Sequence, residues 1–212
     1  MKKHIRWICV LLLVLGSCGA PQVDSEQGGV EADGDFFQLL RRIAVEYEVY
    51  DSLEELLKGA DVAVIGVIES IDTGRALGAG RDQPEAVETF LITVRVQELV
   101  SGDLPSDSQE LLDLELYKPS LVSLQDVRRA KPETPLLLVL TDTANLPQPS
   151  PVDDSDVDRE PGKSLFTIPS DTAIFVERAN EVLTPLSPSV DAVDRSVKAT
   201  SLQELAAQIR SL

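Results

Sequence analysis

The chain has 212 residues, 43% of them hydrophobic but only 4% aromatic, and carries 36 acidic against 19 basic residues for a formal charge of −17. That balance favours solubility and repels phosphate backbones, and with no basic patch in the sequence nucleic acid is not an expected partner. Two cysteines and one histidine leave little room for disulfide, thiol or imidazole chemistry.

In chain order, Lys2, Lys3 and Arg6 form a positive start, and Ile8 to Leu15 form an apolar run. The run is far shorter than the roughly 20 apolar residues needed to span a bilayer, so it predicts a cleaved export signal rather than a membrane helix. It ends in Leu15-Gly16-Ser17-Cys18. This sequence resembles the lipobox of bacterial lipoproteins. The resemblance implies cleavage between Ser17 and Cys18, transfer of a diacylglycerol group to the Cys18 thiol, and further acylation by fatty acids such as palmitate. It places the domain at the cell membrane, lipid-anchored and facing the extracytoplasmic side. Two or more acyl chains, at ~0.8 kcal/mol per buried CH₂, hold a protein at a membrane where one chain does not.

Loss of residues 1–17 removes three positive charges, so −17 becomes −20. His4, Trp7, Met1 and Cys9 leave with the leader, and Cys18 is taken by lipid. Serine–histidine and cysteine–histidine catalysis, and zinc or copper sites built on these side chains, are thereby excluded for the mature chain. No disulfide can form within it, so its stability must come from burial.

Gly19 to Asp35 is polar, glycine-rich and without periodicity. It reads as a disordered tether over residues 18–35, reaching roughly 20–25 Å as a random coil. A single globular domain is expected over 36–212. Phe36, Leu39, Leu40 and Ile43 predict a helix near 37–48. Ser52 and Glu55 form a capping box for a helix at 52–58, whose Leu53, Leu56 and Leu57 share a face and whose Gly59 fits a C′ stop. Ser201 and Glu204 repeat the design for a helix at 201–211, with Leu202, Leu205, Ala206 and Ile209 on one face. Both apolar stripes are expected to face the core.

Strands are expected within 61–185. Val62 to Ile68 is apolar on both faces, and Gly66 within it marks a bulge or corner. Phe90, Ile92, Val94 and Val96 alternate with Thr93, Arg95 and Gln97, and Leu112, Leu114 and Leu116 alternate with Asp113 and Glu115. Ser120 to Arg129 leaves room for a helical turn. Leu136 to Leu140 is a buried-type run. Phe166–Ile168 and Ala173–Val176 are expected to form a hairpin turning at Pro169-Ser170-Asp171, extended by Val182 and Leu183. The expected fold is mostly β with short flanking helices, a small antiparallel barrel or sandwich, α+β by count.

The run YDSLEELLKGADVAVIGVIESI (residues 50–71), the alternating strand ending near Gly102, and the capped C-terminal helix resemble a recurrent pattern in exported proteins of Gram-positive bacteria, actinobacteria among them. Those proteins are uncharacterised and described as OB-like small barrels, so the resemblance implies a fold and no activity.

Three motifs invite chemistry. Gly162-Lys163-Ser164 mimics the end of a phosphate-binding loop, but Val157 stands where the first glycine belongs. Gly74, Gly78 and Gly80 are read as part of a polar strand connection. Asp154, Asp156 and Asp158, in an acidic, proline-rich loop over 142–163, resemble the opening of a Ca²⁺ loop. Arg159 in place of glycine and Leu165 in place of the closing glutamate depart from that pattern, and a solvated acidic loop is the simpler reading. No cofactor is implied. The expected function is binding or structural support at the cell envelope through a protein partner, not catalysis. A small-ligand or Ca²⁺-binding lipoprotein, or an enzyme built on carboxylates, serine or lysine, remain the alternatives.

Overall fold

A computed structural model of the chain describes residues 36–41, 48–77, 87–146, 163–179, 181–186 and 192–212. Ser17, Cys18 and the tether lie outside the described residues, as do Asp154, Asp156 and Asp158.

Among the described residues, seven strands form one mixed sheet: β1 (Val62–Leu77), β2 (Val87–Gly102), β3 (Leu111–Tyr117), β4 (Leu136–Asp142), β5 (Leu165–Thr167), β6 (Ile174–Arg178) and β7 (Glu181–Leu183). Around them lie short helices: α1, described over 36–40, α2 (Leu53–Lys58), α3 (Leu124–Arg129), α4 (Ala192–Ser196) and α5 (Leu202–Arg210). The fold is therefore mostly β with short flanking helices, as expected. Five strands close into a ring in the order β1-β2-β3-β5-β4, with β4 pairing back onto β1. All pairs are antiparallel except β3–β5, which is parallel, so the sheet is mixed rather than wholly antiparallel.

Alternation along the strands decides what the ring encloses. Phe90 faces Leu116, Ile92 faces Leu114 and Val94 faces Leu112, while Leu114 also meets Phe166 and Val64 meets Leu138. All of these side chains are buried in one cluster. β4 is buried on both faces from Leu136 to Thr141. One face looks into the ring, and α5 lies over β2, β4 and β6, burying Leu202, Leu205, Ala206 and Ile209. A run apolar on both faces is what such a doubly covered strand requires.

Gly66 sits at a register shift between β1 and β2, where a Cβ would lie 2.6 Å from Val94 Cγ1 and 2.7 Å from the Arg95 carbonyl oxygen. Gly59 works differently from the expected C′ stop. Its φ of −85° is ordinary right-handed backbone, and its missing side chain instead makes room for the Tyr50 ring, whose hydroxyl would come within 2.5 Å of a Cβ. The caps form as expected. Ser52 Oγ accepts from Glu55 N at 3.2 Å and Ser201 Oγ from Glu204 N at 3.2 Å, while Glu55 and Glu204 reach back to Asp51 N and Thr200 N.

Two expectations change. β1 and β2 are each 16 residues long, well beyond Ile68 and outside 90–96. Their outer halves carry polar side chains, and register shifts after Ile68 and Thr73 break the alternation that a periodicity reading needs. Second, β5 and β6 do not pair with each other. Both lie along the same edge of β4, where Thr141 faces Thr167 and Leu138 faces Ile174. Three steps on β4 thus span seven from β5 to β6, and four residues around Pro169–Thr172 are looped out between two halves of one broken strand. The hairpin is β6–β7, closed by Ala179 at a φ of +47°.

Two substitutions test this packing by chemical denaturation. Leu114→Ala in the ring interior is expected to cost about 2–5 kcal/mol. Ala179→Gly, which relieves a left-handed backbone position, is expected to raise stability by about 1 kcal/mol or less.

Candidate functional site

The outward face of β2 and β3 carries the densest polar constellation among the described residues. Alternation that sends Leu112, Leu114 and Leu116 inward sends Asp113 and Glu115 outward, yet these carboxylates are only 5% and 6% exposed. β2 sets Thr93 opposite Asp113 and Leu91 opposite Glu115, with Thr89 opposite Tyr117. Arg75, near the end of β1, lies over this face. Its Nε is 3.0 Å from both Glu115 oxygens and its Nη2 is 3.0 Å from Glu115 Oε2. Thr89 Oγ1 lies 2.8 Å from the Arg75 carbonyl and 3.0 Å from Glu115 Oε1, and Thr167 Oγ1 donates to the Glu115 carbonyl at 3.0 Å.

Asp113 is held by Thr93 Oγ1 at 3.2 Å and by Lys163 Nζ at 2.9 Å. Beside it, Asp107 accepts from Ser164 N at 2.6 Å and from Ser164 Oγ at 3.3 Å. That backbone N–H, more than any other contact, holds the Asp107 carboxyl below its ordinary value. Lys163 and Ser164 are thus used inside the protein, and the strand β5, not a helix, follows them. The phosphate-loop mimic has neither the element nor the free lysine that phosphate binding requires.

Other charged and polar side chains are also held in pairs. Arg210 and Gln203 of α5 bond Glu98 of β2, and Arg210 is the larger cause of its lowered pKa. Asp61 Oδ2 accepts from Asp142 N at 2.8 Å and Asn145 Nδ2 at 3.1 Å, fixing the 3-10 turn Thr143–Asn145 that opens the segment expected as loop. Tyr50 is pushed up to about 12, chiefly by burial and then by its bond to Glu48.

Of the residues singled out in the sequence, Ser17, Cys18, Asp154, Asp156 and Asp158 lie outside the described residues. Gly74 belongs to β1 rather than to a loop. Among the described residues no group of three or more His, Cys, Asp or Glu side chains is arranged to hold a metal ion. No described helix is long and apolar enough to cross a membrane. The sequence pattern does not join Arg75, Glu115 and Thr89, or Lys163, Asp113 and Thr93, into groups. Their one visible signal is the pair of acidic residues alternating with leucines in β3.

No family model matches the chain, and neither curated proteins nor solved structures gave a significant match.

Arg75→Ala leaves Glu115 buried without its cation and is expected to cost about 3–5 kcal/mol, whereas Arg75→Met with Glu115→Leu recovers most of that loss. Denaturation of the two variants checks this. Asp107 contributes stability above its unfolded value of 3.8, and the contribution disappears as pH falls through the lower folded value. Asp107→Asn is therefore expected to lower stability most above about pH 4, where the carboxylate is charged, and least in strong acid, so that the acid limb of the stability profile is flatter.

Proposed function

We propose that the chain is a lipid-anchored protein of the cell envelope, facing the extracytoplasmic side, whose folded domain binds or supports a neighbouring envelope protein. The observation that carries this reading is the leader, with Lys2, Lys3 and Arg6 before a short apolar run that ends in Leu15-Gly16-Ser17-Cys18. Cleavage before Cys18 removes the only histidine and the only tryptophan. What remains for chemistry is carboxylate, hydroxyl and amine, and on the described sheet face those groups are engaged with one another. A buried carboxylate held by fixed donors is a structural group before it is a catalyst.

A protein partner is favoured over nucleic acid for a related reason. Single strands are held by cationic grooves and aromatic stacking platforms. The outward face of β2 and β3 offers one aromatic residue, Tyr117, beside two carboxylates, in a chain of charge −17.

Metabolic labelling with a palmitate analogue, followed by crosslinking in intact cells, tests the proposal. Wild-type chain is expected to take up label and to be recovered crosslinked to an envelope protein, and Cys18→Ser is expected to do neither. Equal labelling of both chains, or none in the wild type, rules out the anchor.

A further inference from the structure

β1 outruns one of its two neighbours. β2 follows it from Val62 to Leu77, but β4 pairs only with Val62–Gly66 and begins at Leu136, opposite Gly66. Beyond Gly66, the edge of β1 that faced β4 has no strand partner among the described residues. The chain leading into β4 takes that place with side chains. Lys131 Nζ donates to the Ile68 carbonyl at 3.0 Å, and Arg128 Nε donates to the Ile71 carbonyl at 2.6 Å. Arg128 also pairs with Asp72. α3, which carries Arg128, lies against β1 with Val127 fully buried beneath it. Leu136, Lys131 and Arg128 therefore meet Gly66, Ile68 and Ile71 in turn, and the ladder that β4 begins with backbone is continued by two cations.

An open strand edge is a template for another strand, and the same edge on two copies is self-complementary about a two-fold axis. We propose that Arg128 and Lys131 form an edge lock that blocks self-association through β1, the excluded partner being the same β1 edge of a second copy. Pairing through this edge would have to strip both cations from the carbonyls and leave them without those acceptors. It would also bring Asp72, released from Arg128, toward a second negatively charged edge.

The lock is tested by sedimentation velocity over a concentration series, in the full chain carrying Cys18→Ser so that lipid does not drive association. Arg128→Met with Lys131→Met keeps the aliphatic stems and removes the donors, and Asp72→Asn is added so that Asp72 is not left without Arg128; Glu133, which pairs with Lys131, is exposed to solvent and is left unchanged. The parent and the swap Arg128→Lys with Lys131→Arg are expected to remain single species. The triple variant is expected to self-associate about tenfold more strongly or better, the scale of losing one charge-assisted hydrogen bond. Its amides at residues 67–73 should exchange more slowly at high concentration than at low. If the triple variant does not fold, Lys131→Met alone carries the test and should associate to a lesser degree. A folded variant that stays monomeric, or one that associates without new protection at 67–73, overturns the proposal.

Discussion

The pairing of Val62–Gly66 with Leu136–Leu140 is the contact on which the other features of this fold depend. It joins segments far apart in sequence and closes five strands into a ring, so that side chains from β1, β2, β3, β4 and β5 share one interior. Loop closure makes such a contact slow and entropically costly to form, but each doubling of the loop adds only a fraction of a kcal/mol. The burial that follows is much larger. Leu137, Leu138, Val139 and Leu140 are all completely buried, at about 1.5–3 kcal/mol for each fully buried aliphatic side chain. Where β4 begins also determines where α3 must lie, and the face that β4 turns away from the ring determines what α5 must cover.

The acidity of the chain is managed locally. Arg75 and Lys163 are placed over Glu115 and Asp113, the two carboxylates that alternation drives onto a covered face. Arg210 is placed on Glu98 and Arg95 on Glu69, both toward solvent. Pairs of the second kind contribute little at the surface, while the first kind cannot lose one member without leaving a buried charge. A polar network whose members already bond one another fixes the geometry of β1, β2 and β3 more readily than it supplies a reacting group.

What could be read from the sequence follows the reach of each signal. The caps at Ser52 and Ser201, the alternation of Phe90–Val96 and the doubly apolar Leu136–Leu140 are local patterns, and each appears in the structure where expected. The outer halves of β1 and β2 were hidden because bulges disrupt the two-residue period. The hairpin expected over Phe166–Val176 is absent for a similar reason. Four looped-out residues at Pro169–Thr172 carry turn chemistry without reversing the chain, and only pairing with β4 distinguishes a jog from a turn. Arg75 and Glu115 lie 40 residues apart, and no spacing rule joins residues brought together by strand register. Gly59 shows that a correct position can have another cause, since the space it leaves is taken by Tyr50.

The central claim concerns Cys18, and the mass of the mature N-terminus tests it most directly. Mass spectrometry of the protein extracted from native membranes is predicted to find a terminal peptide that begins at Cys18 and carries a diacylglyceryl group with its acyl chains. A chain that keeps residues 1–17, or one that begins elsewhere with an unmodified Cys18, would contradict the account.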